Sequence, residues 1–431
     1  MLIGLGHIAK RILEPKFLIS NWRKALKIAI PGVFCFTIYW ATFPLHRYKL
    51  GYFHTDRIGH FVMDAAIKFA ETGSKTPRRE IYWLESNEPA NNFWLTLVRR
   101  SFRTTTSSFL GAVVEFARAL PINPKWYVAP YRDLNGSRDF NGSLAKGCLQ
   151  MEFTQEENKQ GQDWLASIGC LPGQPFACLM VRDSKYLDSD PIHNPALHGL
   201  PKDYWSYHNY RDSDITSFGQ AAEWLASQGV FVLRMGKSNA EKFDSCQSQI
   251  IDYSFRQDRS DFLDVWLFAN CSVCVSTGTG PDAISIAYGR PTIHVNFLPL
   301  SQTWTSTRSL TAGKALYNQA GERLSLQETL EADFYTSEDY SSAEIRIRDL
   351  SPEELLEVVQ EGWARITGMW AEDDRDKIFK EEFQVAIQNS KVGKYHGYLH
   401  PEARLSSRWL YKLKEERRAF ESGSEEKNTK V

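Results

Sequence analysis

Between residues 173 and 296 the chain alternates short apolar runs with stretches whose apolar residues recur at helical spacing. Phe176 to Val181, Val230 to Leu233, Ile250 to Tyr253 and Cys271 to Val275 are brief and rich in β-branched residues, as strands buried on both faces of a parallel sheet should be. Ile215 to Ser227 and Phe262 to Ala269 carry the 3.6-residue period of amphipathic helices. Strand and helix in strict alternation predict a doubly wound parallel sheet with right-handed crossovers. Further on, Pro352 to Ile366 and Lys377 to Asn389 predict closing helices, and the charged stretch Glu415 to Val431 predicts a disordered tail.

The first half follows the same plan less regularly. Tyr48 to Phe53 reads as a strand, His54 to His60 as the loop after it, and Phe61 to about Glu71 as a helix. Ile81 to Glu85 is a second strand, and Ser108 to Leu120 a helix stopped by Pro121 and Pro124. Residues 126 to 148, dense in Gly, Asn and Ser, predict loops, with Asn135-Gly-Ser and Asn141-Gly-Ser as turns. Thr154-Gln-Glu-Glu157 opens a helix with a capping box, and Pro172-Gly-Gln-Pro175 breaks the chain at a domain boundary. The expected layout is a membrane-associating segment over 1–45, an α/β domain over 46–172, a second α/β domain over 173–370, closing helices over 371–414 and the tail over 415–431.

Composition narrows the class. A chain of 431 residues accommodates two ordinary domains, and a net charge of −1 argues against nucleic acid as a partner. Seven scattered cysteines, with Cys271 and Cys274 inside a buried strand, read as small core residues in a reducing compartment. The N-terminus differs: Ile28 to Leu45 has no charge and follows Lys10, Arg11, Lys16, Arg23, Lys24 and Lys27 against the single acid Glu14. Eighteen apolar residues with Pro31-Gly32 in their middle admit a span or re-entrant anchor, an interfacial helix, or a buried element of the fold. The expected setting is the cytoplasmic face of an inner membrane.

The most informative stretch is Val273 to Asn296. Ser276-Thr-Gly-Thr-Gly280 places two glycines among hydroxyl side chains directly after a strand. Pro281 suits the first turn of a helix running from Asp282 to Tyr288 and stopping at Gly289. A loop at the carboxyl end of a parallel strand, feeding a helix N-terminus, is where an open α/β sheet receives phosphate.

Taken together, Arg57-Ile-Gly-His60 after the first strand and Ser276-Thr-Gly-Thr-Gly-Pro281 with its Gly-Arg-Pro-Thr continuation resemble the GT-B glycosyltransferases of heptosyltransferase type. With Tyr210-Arg-Asp-Ser-Asp214, Arg234-Met-Gly236 and Phe262-Leu-Asp264 added, the set is similar to an uncharacterised glycosyltransferase family of bacterial surface-polysaccharide clusters, over roughly residues 45 to 390. The resemblance implies two Rossmann-like domains facing across a cleft. It also implies a nucleotide-diphosphate sugar as co-substrate, a glycan or lipid-linked acceptor, no resident cofactor and no metal.

Inverting sugar transfer needs a base for the acceptor hydroxyl and fixed positive charge for the departing diphosphate. His60, which stands where the heptosyltransferases carry Asp, is the candidate base, with Asp56 as its orienting partner or as the base itself; the structural alternative is a histidine capping the helix at Phe61. For the diphosphate the candidates are Ser276, Thr277, Gly278, Thr279 and Gly280, Arg182 at one strand end, and Arg234, Gly236 and Lys237 at the next. Asp282 is expected either on ribose or sugar hydroxyls or as a charge at the helix start, and Arg57, Tyr210 and Arg211 near the acceptor or the cleft. The triplets Asp188-Ser-Asp190 and Asp212-Ser-Asp214 admit a metal-dependent reading, against which the second pair reads as helix caps. Two other functions fit the same motifs: a non-catalytic nucleotide-binding subunit of the same pathway, and a sugar-nucleotide epimerase.

Overall fold

A computed structural model of the chain describes residues 15–73, 79–85, 88–120, 124–146, 151–189, 193–199 and 201–428. It divides into two compact units, Met1–Arg138 with Gly147–Glu152, and Asp139–Lys146 with Phe153–Val431. Both are α/β with parallel sheets.

The first unit begins with helix α1 (Pro15–His46), which continues through Pro31 where an interruption was expected. Strands β1 (Lys49–Phe53), β2 (Glu80–Leu84), β3 (Thr104–Thr105) and β4 (Tyr127–Val128) form a parallel sheet in the order β3-β2-β1-β4. Helix α2 (Ile58–Glu71) follows β1, α3 (Asn92–Ser101) follows β2, and α4 (Ser108–Ala119) precedes β4. Leu50, Tyr52, Val113, Val114, Ala117 and Trp126 make the core, and α1 lays Cys35, Phe36 and Phe43 against it. Tyr39 donates its hydroxyl to the Tyr48 carbonyl at 2.7 Å, which ties the helix to the entry of β1. No described helix is long and apolar enough to cross a membrane.

The second unit holds seven parallel strands: β5 (Phe176–Met180), β6 (Phe231–Arg234), β7 (Ile250–Asp252), β8 (Val273–Ser276), β9 (Thr292–Phe297), β10 (Ser309–Gly313) and, after the antiparallel pair β11 (Ala315–Tyr317) and β12 (Arg346–Arg348), β13 (Arg404–Leu405). Their order is β13-β10-β9-β8-β5-β6-β7. The chain therefore moves outward from β5 to β6 and β7, then returns to the other side of β5 with β8. That reversal makes the β5/β8 junction a topological switch point, and the β1/β4 junction of the first sheet is another. The doubly wound expectation for residues 173–296 is met strand by strand.

Two boundaries are corrected. The domain break expected at 172 lies at 153, because the helix α5 (Gln155–Ser167) packs on the second unit: Trp164 donates to Asp258 at 2.9 Å and Trp266 donates to Asn158 at 3.1 Å. The tail expected to be disordered from 415 is part of a helix, Ser407–Asn428. Glu416 pairs with Arg323 at 3.2 Å and with Arg348 at 3.5 Å, partners that only the tertiary fold brings near.

Gly161 sits where α5 meets the indole of Trp266; a Cβ there would lie 2.2 Å from the ring. Gly→Ala in a helix interior ordinarily stabilises by up to ~1 kcal/mol. Gly161→Ala is expected to do the reverse, destabilising by ~1–3 kcal/mol through overpacking, as read by urea denaturation.

Candidate functional site

At the switch point of the second sheet the loop after β8 is knitted by its own side chains. The buried Asp282 carboxylate accepts from Ser276 Oγ at 2.7 Å and from the Thr279 N–H at 2.9 Å, while Ser276 Oγ accepts from the Gly278 N–H at 3.1 Å. His294, fully buried on β9, brings Nε2 to 3.6 Å of the same carboxylate. Gly278 turns at φ +77°, and a Cβ there would meet the Phe297 ring at 2.5 Å, so both conformation and space require glycine. Two of the amides expected to be free before this helix, those of Gly278 and Thr279, are thus engaged within the loop. Asp282, expected to meet a ligand hydroxyl or complement the helix dipole, instead holds the turn.

What the loop presents is set by two arginines. The Arg182 N–H, just past β5, donates to Thr277 Oγ1 at 2.9 Å, and Arg211 donates to the Gly278 carbonyl. Arg182 Nε lies 3.1 Å from Asp212, whose carbonyl in turn accepts from Lys314 at 2.6 Å. Burial and then the neighbouring Arg211 charge hold the Arg182 guanidinium down at about 10. Two like charges side by side in a partly desolvated crevice favour an anion between them, and paired guanidinium forks match the oxygens of a diphosphate. Thr279 Oγ1, buried and without a hydrogen-bond partner, adds a hydroxyl at the same place.

Other expected donor residues are not part of this group. Arg234 is 1% exposed and is bound to Asp252 at 3.2 Å and to Ser254 at 2.7 Å. The reason is register, since β6 sets Arg234 directly beside Asp252 on β7. Gly236 packs against Asn239 in the turn that follows, and Lys237 is exposed there. Tyr210, expected near an acceptor, is buried against Tyr340 with ring centroids 5.1 Å apart. Asp214 caps a helical turn by accepting from the Thr216 N–H at 2.8 Å, and Asp188 is exposed; Asp190 lies outside the described residues.

The first unit gathers a second cluster at its own switch point. His54, leaving β1, lies with Nδ1 2.6 Å from the Tyr52 hydroxyl and accepts from Arg132 Nη1 at 2.5 Å; its Nε2 is 3.6 Å from Asp133. Glu85, at the end of β2, accepts from Tyr52 at 2.8 Å, and Arg118 bonds Asp133 at 3.1 Å. Burial alone would raise Asp133 and Glu85, yet hydrogen bonds with His54 and its neighbours hold Asp133 down at about 2 and Glu85 below the usual carboxylate range. Sequence reading passed over His54, Glu85, Arg118, Arg132 and Asp133. His54 and Glu85 were findable as polar residues at predicted strand ends, whereas Arg132 and Asp133 lie on a one-turn helix (Tyr131–Asn135) within a segment read as loops.

The cluster separates the two candidate bases. Helix α2 begins at Ile58, three residues before the expected start, and the residue preceding it, Arg57, makes no side-chain cap bond. His60 is therefore inside the first turn and does not cap; Nδ1 lies 2.9 Å from Ser137 Oγ. Burial, then the charges of Arg132 and Arg57, lower its proton affinity to about 3, so the imidazole is neutral at physiological pH and a weak base. Asp56 keeps a buried Oδ1 without a hydrogen-bond partner. His54, Asp56 and Glu85 bring potential ligand atoms within 4.8 Å of one another, and the Arg132 guanidinium sits against His54 beside them.

The sign of the His60 shift sets a pH dependence. A folded value below the unfolded value of about 6.5 means stability is present at neutral pH and lost as pH falls below ~6.5, where the unfolded chain takes the proton more readily. By pH 5 the loss from this residue is ~1–2 kcal/mol. His60→Asn, which cannot be protonated, is expected to close that gap: its melting temperature relative to wild type should rise as pH is lowered from 7 to 5, and a constant difference would contradict the shift.

No protein-family model and no curated protein sequence matches the chain. Among solved structures it is similar to a glycosyl transferase family 9 protein from Veillonella parvula DSM 2008, at 11% identity over 62% of this chain and 86% of that one, with a TM-score of 0.36. It is also similar to E. coli ADP-heptose lps heptosyltransferase II, at 13% identity over 74% of this chain and 99% of that one, with a TM-score of 0.35. Scores this low carry no weight for activity, which rests on the residues themselves.

Proposed function

We propose that the chain is a GT-B glycosyltransferase that moves a sugar from a nucleotide-diphosphate donor to a glycan or lipid-linked acceptor in bacterial surface-polysaccharide synthesis. Transfer inverts the anomeric centre and uses no metal. The observation that carries this reading is the Arg182–Arg211 pair beside Gly278, at the β5/β8 switch point. Fixed guanidinium charge there performs what a divalent cation performs elsewhere, stabilising the diphosphate as the glycosidic bond breaks. Lys314, 3% exposed, is bonded to the Asp212 carbonyl beside the pair and is itself neutralised by Asp349 at 2.8 Å.

The proton from the attacking hydroxyl goes to Asp56 in preference to His60. A carboxylate with an unpartnered oxygen has a lone pair to offer; a half-buried neutral imidazole beside arginines gains a proton only at a cost. Arg57, directly after Asp56 and just ahead of α2, is the residue we assign to the acceptor. The weak basicity of His60 favours one second reading, a nucleotide-binding subunit without transferase activity.

Calorimetry with UDP, ADP, GDP and CDP tests the donor half. At least one is expected to bind, equally well with EDTA, and Arg211→Ala to weaken it tenfold or more; binding that strictly requires Mg²⁺ contradicts the metal-free reading. For the base, Asp56→Asn should lower kcat by ~10²–10⁴ with little change in donor KM. Unaltered turnover removes Asp56 from the mechanism, and donor binding without any transfer or hydrolysis by the wild type supports the subunit reading.

A further inference from the structure

The outward face of α1 has no role in the chemistry above. While Gly32, Cys35, Phe36, Tyr39 and Phe43 turn toward the core, the residues between them face solvent: Ile30, Val33, Phe34, Ile38, Trp40 and Leu45 are exposed, from 39% at Ile38 to 87% at Leu45. Residues 28 to 45 hold no charged side chain. A continuous apolar stripe of this kind marks an interaction surface.

Charge at the two ends identifies the occupant. Where α1 meets β1, a pocket of about 570 Å³ is lined by Phe43, Pro44, Arg47, Lys49, Arg79 and Glu80. Its one acid, Glu80, is paired with Lys68 at 3.2 Å, so the rim offers three cations around an apolar floor. At the other end the helix sequence supplies Lys16, Arg23, Lys24 and Lys27 and no acid. A second copy of the chain fits poorly, because parallel or antiparallel pairing of two such helices sets basic end against basic end. An apolar stripe between basic ends matches an anionic bilayer surface, with acyl chains under the stripe and phosphate at the ends.

We propose that α1 docks the protein on anionic membrane lipid, lying in the interface with Ile30, Val33, Phe34, Ile38, Trp40 and Leu45 among the acyl chains and a lipid phosphate held by Arg47, Lys49 and Arg79. Lys49 and Glu80 open β1 and β2, whereas His54 and Glu85 follow the far ends of the same strands. At ~3.3 Å per residue the His54 cluster then stands roughly 15–20 Å from the lipid pocket, on the water side. The docking does not depend on the transfer reaction.

Vesicle flotation of the full chain tests it, using phosphatidylcholine vesicles with and without 30 mol% phosphatidylglycerol. Binding is expected to the anionic vesicles, falling with added salt. Lys49→Gln and Arg79→Gln, at exposed positions that leave the core intact, should each reduce partitioning about fivefold, the ratio equivalent to ~1 kcal/mol per charge. Phe34→Asp with Ile38→Asp should abolish it at an unchanged melting temperature. The proposal is overturned if the wild type ignores both vesicles at low salt, if neither charge variant alters binding, or if the stripe proves to hold a protein: a dimer in solution that Phe34→Asp dissociates.

Discussion

One buried carboxylate organises the loop at the β5/β8 junction of this molecule. Asp282 collects the Ser276 hydroxyl and the Thr279 amide and, through Ser276, the Gly278 amide, which folds residues 276–280 into a fixed turn. With the turn fixed, Thr277 receives the Arg182 amide and the Gly278 carbonyl receives the Arg211 guanidinium. The Arg211 guanidinium is thus positioned by the loop backbone and that of Arg182 by Asp212, contacts that a ligand need not supply. Rigid charge of this kind stabilises a developing anion without reorganisation. Such loops commonly present amides to phosphate; here the protein's own acid takes the amides and arginines are presented instead.

The two units solve a similar problem differently. At the β5/β8 junction Arg182, Arg211 and Lys314 stand with two acids, Asp212 bonded to Arg182 and Asp349 bonded to Lys314. At the β1/β4 junction Arg118 and Arg132 are interleaved with Asp133 and Glu85 around His54. Paired guanidinium groups suit an anionic donor, and an interleaved polar cluster suits hydroxyl chemistry, in which protons are exchanged and no net charge arrives. The lowered proton affinity of His60 follows first from desolvation and then from the charges of Arg132, Arg57 and His54.

Much of the second unit was legible in the sequence because parallel strands buried on both faces must be continuously apolar, and Phe176 to Val181 or Cys271 to Val275 has few other uses. Two-residue strands such as Thr104–Thr105 and Tyr127–Val128 carry no period to read, and β10, Ser-Leu-Thr-Ala-Gly, looks like a loop until its neighbours surround it. Lys314 was missed with that strand. Arg182, Thr277 and Gly278 are readable as candidates from their strand-end positions, whereas Arg211, expected near the acceptor or cleft, reaches the Gly278 carbonyl from a helical turn. Arg234 satisfied the same rule yet is spent on Asp252, since the identity of a residue across a strand pair depends on register. The same limit applies to Asp282, whose partners are local but whose burial is tertiary, and to Glu416, whose arginines come from distant segments and turn a charged tail into helix.

Hydrogen exchange, followed by mass spectrometry on the full chain with and without a saturating nucleoside diphosphate, addresses the central claim directly. Amides are expected to slow at residues 181–183, 209–213 and 276–281, the three segments that carry Arg182, Arg211 and the Asp282-held turn. Protection that spares all three, or that appears only around Arg234 and Lys237, would contradict the assignment of the β5/β8 junction as the diphosphate site.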